Sequence, residues 1–369
     1  MIQEIRVSVD QLTVTFKCKT DDPEADAKDL ISNLCLVDYL GDPEEVNAVN
    51  LYDHALGWLN PNIKVMWKTD DPRQRVAVQM TATGKRLLEY SWHEANNWLA
   101  EFQRYEQLDG RFSRVDIAVD LINYDLSLEK LLNRIQRGKV KVLDALGRSY
   151  RGLDNIKYYG EGEKVTGFYI GRPNSDALLR LYDKKTEQSG SGKPFYLVAK
   201  DLDNWVRVEA EFTGKYANAI LKDIVSNVAD EEELQRKLIG YIVNHWHLEA
   251  YHKLNFWADM EELGKGQGDV PRAFTSNEDK LVRMIHYFLT GGPAGILYKI
   301  RELFSEDELD EFLDLVKEYL SEANEEGYYQ IPKSYYRDVK LIKAQNPKLD
   351  SIDEYFEQAF YLNESRKRV

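Results

Sequence analysis

Hydrophobic residues recur at every second position through the first part of this chain and at every third or fourth position in the last part. Ile5, Val7 and Val9, then Leu12, Val14 and Phe16, alternate with polar residues and predict an opening strand or hairpin. The acidic stretch from Asp21 to Glu45 has room for one short helix, Ala27–Val37, and Ile63–Met80 reads as strand with Val65, Val76 and Val78 turned to the core. Leu87, Leu88, Ala95, Trp98, Leu99, Phe102 and Tyr105 return at helical spacing, and Gly110 closes that segment. A short helix, Ser127–Ile135, is predicted from Leu128, Leu131, Leu132 and Ile135, with Gly138 as its stop.

Three strands stand out because each is apolar on one side and charged on the other. In FSRVDIAVDL, Val115, Ile117 and Val119 share a face, and Arg114, Asp116, Ala118 and Asp120 share the opposite one. From Ala177 the residues Ala177, Leu179 and Leu181 point one way, while Leu178, Arg180, Tyr182 and Lys184 point the other; the turn residues Gly171, Pro173, Asn174 and Ser175 lie just upstream. In WVRVEAEF, Val206, Val208, Ala210 and Phe212 oppose Arg207, Glu209 and Glu211. If the three strands are neighbours in one antiparallel sheet, their polar faces converge.

After Phe212 the period changes to helical, over Ile220–Val228, Glu231–Asn244, Ser276–Thr290, Pro293–Phe304 and Ser305–Ala323. Ser276 with Asp279 and Ser305 with Glu308 have the spacing of N-caps. The glycine-rich Gly264–Gly268 is the best linker, which gives an expected catalytic domain over 1–263 and an acidic helical domain over 269–369. The fold class expected is α+β, a central antiparallel sheet flanked by helices with a helical C-terminal region.

Composition narrows the function. No apolar run approaches the roughly 20 residues of a membrane span and the N-terminus lacks a signal-like block, so the expectation is a cytoplasmic protein without a membrane partner. Cys18 and Cys35 form no disulfide or zinc pattern. A net charge of −14 argues against nucleic acid, yet between Leu131 and Lys193 thirteen Lys or Arg stand against seven acids, a local +6. That distribution allows DNA binding by one face.

A tyrosine hydroxyl is a poor nucleophile unless its phenolate is stabilised. Arg180 and Lys184 flank Tyr182 and supply two cations. Attack on a DNA phosphodiester would leave a 5′-phosphotyrosine and a free 3′-hydroxyl, and it needs charge neutralised at the non-bridging oxygens. Asp116, Glu209 and Glu211 suit Mg²⁺ or Mn²⁺, and Glu187 is a further ligand or positions the attacking group. Arg207 is expected to share in neutralising charge. The plain alternative is that Tyr182 packs the sheet, that the carboxylates are its solvated face and that Lys184 and Lys185 end an edge strand.

VDQLTVTF, FSRVDIAVDL, FYIGRPNSDALLRLYDKKTEQ and RVEAEF resemble, in order and approximate spacing, the replication initiation factor family of rolling-circle plasmid initiators and conjugative-element relaxases. The resemblance runs from about Val7 to Phe212, at its widest to Trp257, and RLYDKKTEQ is its most specific part. It implies Tyr182 as nucleophile, Asp116 as metal ligand, Glu209 and Glu211 as the acids of the third strand and Glu187 as the acid of the YxKxxE pattern. It also implies a fold like that of the HUH endonucleases, with acids where those use histidines. The activity expected is sequence-specific nicking and joining of origin DNA to initiate rolling-circle replication. A conjugative relaxase, a non-catalytic origin-binding or copy-control protein and a nuclease using water are the alternatives. A host helicase and a second copy of the chain are expected partners. His245, Trp246 and His247 form a His-hydrophobic-His triplet with His252 nearby; because they continue a helix-spaced segment, they read as packing or surface residues rather than a metal pair.

Overall fold

A computed structural model describes residues 2–49, 52–59, 61–69, 75–92, 97–144, 147–150, 155–161, 164–172, 175–267, 284, 285, 287–289 and 292–326. The strands are β1 (Glu4–Lys17), β2 (Glu44–Glu45), β3 (His54–Trp58), β4 (Ile63–Trp67), β5 (Arg75–Met80), β6 (Arg111–Ile122), β7 (Val140–Asp144), β8 (Ile156–Glu161), β9 (Lys164–Ile170), β10 (Ala177–Asp183), β11 (Trp205–Thr213) and β12 (Trp246–Ala250). The helices are α1 (Pro23–Asn33), α2 (Leu36–Leu40), α3 (Ala82–Ser91), α4 (Trp98–Gln107), α5 (Leu128–Gln136), α6 (Lys184–Gln188), α7 (Tyr196–Asp201), α8 (Gly214–Asn227), α9 (Glu231–His245), α10 (Asn255–Leu263), α11 (Gly292–Leu303) and α12 (Glu306–Glu326).

Ten strands form one sheet in the order β2-β3-β4-β5-β1-β6-β11-β10-β9-β8, with every pair antiparallel. The class is α+β, as the alternating and helical periods require. The three amphipathic strands are neighbours, β6-β11-β10, because each has one face that only a shared core can cover. Val115, Ile117, Val119, Leu179, Leu181, Val208, Ala210 and Phe212 join one apolar cluster with Ala217, Ile220, Leu221 and Ile224 of α8. Helices therefore close that face, and the polar residues are left together on the other.

Several local expectations change. The opening segment, expected as a strand or hairpin, is one long strand, and it pairs with both β5 and β6, with register shifts against β6 at Val9/Gln11 and Thr13/Val14. Ile63–Met80 is two strands. The predicted helix ending at Tyr105 is two helices: α3 stops at Ser91, and Asn97 caps α4 by accepting from the Ala100 N–H at 2.8 Å. Asp109 adopts φ +57° after α4, and Gly110 follows because a Cβ there would press on the Tyr105 carbonyl. The segment after Ile242 leaves the helix at His245 and becomes β12, which pairs with β7 in a separate two-stranded sheet. Ala95, Pro173, Asn174, Gly268, the cap pair Ser276 and Asp279, and the basic end ESRKRV lie outside the described residues.

Two compact units result, Met1–Ala273 and Phe274–Val369. In the first, Gly264 packs on Gly240 of α9, where a Cβ would lie 2.9 Å from the Gly240 Cα. In the second, the Ser305 hydroxyl accepts from the Glu308 N–H at 3.2 Å, the expected cap of the acid-rich α12. No helix among the described residues is long and apolar enough to cross a membrane.

Candidate active site

Register decides which side chains meet. Across β10, β11 and β6, Leu178 stands opposite Glu211 and Glu211 opposite Asp116; Arg180 faces Glu209 and Glu209 faces Ala118; Tyr182 faces Arg207 and Arg207 faces Asp120. The pairing puts Asp116, Arg180, Tyr182, Glu209 and Glu211 on one patch, the convergence that alternation predicted.

The patch is a buried lattice of charges. Arg114 donates from Nε and Nη2 to the two oxygens of Asp116 at 2.8 and 2.6 Å, and Nη2 also lies 2.9 Å from Glu211. Arg180 donates from Nη1 to Glu209 at 2.6 Å and from Nη2 to Glu211. The Tyr182 hydroxyl donates to the second Glu209 oxygen at 2.9 Å. Asp116 is 2% exposed and Glu209 5%. Burial, opposed by the hydrogen bond and charge of Arg114 and helped by the weaker repulsion of Glu209 and Glu211, leaves the Asp116 carboxyl raised to about 7. Burial and the Glu209 carboxylate push the Tyr182 phenol far above its ordinary value, so the hydroxyl is protonated at rest.

Asp183 ends β10. Its carboxylate accepts from the Thr186 N–H at 2.8 Å and from the Thr186 hydroxyl at 2.6 Å, which caps α6 and turns the chain. Lys184 is thus the first residue of a helix and not a strand residue as alternation had it. Its ammonium lies 5.5 Å from the Tyr182 ring centroid and 2.7 Å from Glu187, on the same helix. Tyr182, Glu187, Glu209 and Glu211 share with Tyr159 and Tyr169 the walls of a cleft of about 800 Å³.

Arg207 was expected at the phosphate, and in the structure its guanidinium is bonded to two carboxylates. Nε and Nη2 donate to Asp120 at 2.7 and 2.8 Å and Nη1 to Asp10 at 2.6 Å, in a side chain 6% exposed. Asp10 reaches it because the β1 register shifts between Val9 and Gln11. The guanidinium ties β1, β6 and β11 together beside Tyr182, its cross-strand partner. Sequence reasoning placed Arg114 on the right face without giving it a role, and it missed Asp10, Tyr159 and Tyr169. A bulge leaves no mark in the periodicity of β1, and the two tyrosines are on strands whose pattern is not cleanly amphipathic.

Among the described residues no three His, Cys, Asp or Glu side chains form an open cation cage, because arginines lie between the carboxylates. The donor set nonetheless suits a hard divalent ion: Asp116, Glu209 and Glu211 offer oxygens only. Together with Asp10 and Asp120 they are five carboxyl groups against the three guanidiniums of Arg114, Arg180 and Arg207, and Asp116, raised to about 7, bears only part of its charge at neutral pH.

The histidine triplet lies elsewhere in its contacts. His245 is buried against Trp246, Tyr216 and Phe212, with ring centroids 4.4, 5.3 and 5.6 Å away. Burial lowers its imidazole to about 4, with Asp144 opposing and His247 adding to the depression. Since the unfolded ring titrates near 6.5, the stability held by neutral His245 is complete above pH 6.5 and is lost as pH falls to 4. The loss at the acid end is about 3 kcal/mol. His245→Phe is expected to flatten the fall of Tm across that window in calorimetry; an unchanged slope would mean that the ring titrates normally.

Comparison with known proteins follows the same ground. Residues 110–315 match the sequence model of the replication initiation factor family, Rep_trans. The match begins where β6 begins, includes every predicted site residue, and continues past Trp257 into the second unit, further than the residue-by-residue resemblance. Over 214 residues the chain is 27% identical to the putative DNA relaxase NicK of Bacillus subtilis (strain 168), covering 54% of this chain and 56% of that protein. The chain therefore spans little more than half the length of this curated relative. A rolling-circle replication initiator protein from Geobacillus stearothermophilus has the same fold, with a TM-score of 0.53 at 21% identity over 70% of this chain and 97% of the other.

Proposed function

We propose, for a chain that belongs to the replication initiation factor family, that it nicks and rejoins origin DNA through a 5′-phosphotyrosine at Tyr182 and so initiates rolling-circle replication. The observation that carries this reading is the Tyr182 hydroxyl held 2.9 Å from the Glu209 carboxylate, in a cleft lined by Arg114 and Arg180. A nucleophile beside a base and beside cations is what the transfer needs.

In the proposed step the phenol proton passes to Glu209. The Tyr182 oxygen bonds to phosphorus as the bond to the 3′ oxygen breaks, and that oxygen takes a proton from solvent water to leave as a 3′-hydroxyl, while Glu209 later returns the phenol proton to solvent. Phosphorus keeps one ester for another, so the reverse step rejoins the strand without a nucleotide. Arg180 and Arg114 offer N–H groups to the non-bridging oxygens when they turn from the carboxylates. Lys184, clamped by Glu187, holds its ammonium over the Tyr182 ring, and Arg207 is the cation that pulls the phenol down against burial and Glu209.

Mg²⁺ or Mn²⁺ is the proposed cofactor, held by Asp116, Glu209 and Glu211, with Glu187 as a further acid at the cleft. Bound there it would neutralise charge on the phosphate, and the oxygen-only donors of three neighbouring carboxyl groups support it. Removing divalent ions with a chelator is expected to abolish the covalent product and adding Mn²⁺ back to restore it; full activity in chelator would overturn the metal assignment.

The same chemistry serves a conjugative relaxase, and the likeness to a putative relaxase favours that second reading. Origin DNA is the proposed partner of the first unit. The acid-rich α12 suits a protein partner, a helicase or a second copy, better than DNA. The deciding test incubates the protein with Mn²⁺ and single-stranded oligonucleotides tiling the DNA around its gene and looks for a covalent protein–DNA band on a denaturing gel. A band supports the proposal. Cleavage without a band points to a water nucleophile, and binding without either points to a non-catalytic origin-binding protein.

A further inference from the structure

The rungs that contain the reactive groups continue outward to β8, the end strand of the sheet. Arg180 pairs with Tyr169 and Tyr169 with Lys157; Tyr182 pairs with Gly167 and Gly167 with Tyr159. Two tyrosines and a lysine therefore share the face of the active site, Tyr169 one strand spacing (~5 Å) from β10 and Tyr159 and Lys157 two (~10 Å).

The tyrosines are arranged as an open platform. The hydroxyl end of Tyr159 lies over Gly167, where a Cβ would come within 2.3 Å of the phenol oxygen and 2.4 Å of Cζ. Its centroid is 5.2 Å from that of Tyr169 at 40°, and the Arg180 guanidinium lies 6.0 Å from the Tyr169 ring. Core pairs such as Phe102 and Phe112 are wholly buried, whereas Tyr159 is 39% exposed and both rings line the cleft beside Tyr182 and Glu209. An aromatic surface left open in a polar cleft, with a lysine at its outer end, has the chemistry that holds single-stranded nucleic acid: rings for bases and cations for phosphates.

We propose that the β8–β9 hairpin is a base-stacking subsite for single-stranded DNA, with Tyr159 and Tyr169 as the platform and Lys157 as a phosphate contact. The assignment rests on the nicking reading above and adds a binding role for residues outside the reacting groups. Glycine at 167 is then a positioning residue, since any side chain would lift the Tyr159 ring from the sheet.

The test uses full-length protein carrying Tyr182→Phe, so that no covalent step intrudes, and two fluorescein-labelled probes of about 20 nucleotides read by anisotropy. One is oligothymidine and the other is the same backbone with abasic units throughout. The starting protein is expected to prefer oligothymidine by about 10-fold or more. Tyr159→Ala, Tyr169→Ala and Gly167→Val should each remove most of that preference while leaving abasic affinity unchanged. Tyr159→Phe should keep the preference, which separates stacking from misfolding. Lys157→Ala should weaken both probes alike and lower the salt dependence by about one counterion. If oligothymidine and abasic backbone bind the starting protein equally while wild type still forms the covalent band, the subsite is overturned and the nicking reading stands. If neither probe binds and no band forms, both fall.

Discussion

Tyr182→Phe is expected to eliminate the covalent protein–DNA product, a loss of about 10³-fold or more in nicking, while the protein stays folded. Phenylalanine keeps the ring beneath the Lys184 ammonium and its place between Gly167 and Arg207 in the ladder, so the packing of β10 is unchanged. What disappears is one oxygen. Glu209 loses the hydroxyl donor at 2.9 Å, at a cost of about 1 kcal/mol to stability, because Arg180 still holds its other oxygen at 2.6 Å. The readout is the denaturing gel with Mn²⁺, with thermal unfolding as the control. A covalent band that survives in the mutant would move the nucleophile elsewhere, and Tyr159 and Tyr169, on the same cleft wall, are the nearest candidates.

The second large effect is on stability. Arg207→Ala should destabilise the first unit by about 3–5 kcal/mol, because it strips the only guanidinium bonded to Asp120 and Asp10 among the described residues and leaves two carboxylates uncompensated. Arg207→Lys should recover part of this at most, since an ammonium cannot make the paired contacts to both Asp120 oxygens together with the contact to Asp10. Arg180→Ala, at a side chain 23% exposed and facing the cleft, should cost less stability and more activity. Urea unfolding of the three variants beside the nicking assay separates them. Wild-type stability in Arg207→Ala with nicking lost would return Arg207 to the phosphate, as the sequence alone had suggested.

The contacts of Arg207 show where sequence reading stops. Alternation is local, and it correctly put Arg114, Asp116 and Asp120 on one side of β6 and Arg207, Glu209 and Glu211 on one side of β11, because successive side chains on a strand must point oppositely. Lys184 failed the same rule, since Asp183 caps a helix there and ends the period one residue earlier. The capping pair Asp183 and Thr186 is visible in the sequence, but so is the continued alternation, and only the folded chain shows which prevails.

The sequence by itself determined the apolar and polar faces of the three central strands, the α+β class, the motif around Tyr182 and the carboxylates that would serve it. These follow from periods and caps that a few neighbouring residues define. Tertiary structure decided which charges meet. Strand order and register bring Glu209 to the Tyr182 hydroxyl, a bulge in β1 delivers Asp10 to Arg207, and a glycine on β9 makes room for a tyrosine from β8. Those pairings join residues from eight to 197 positions apart, and hydrogen bonds between strands, which no local pattern encodes, fix them.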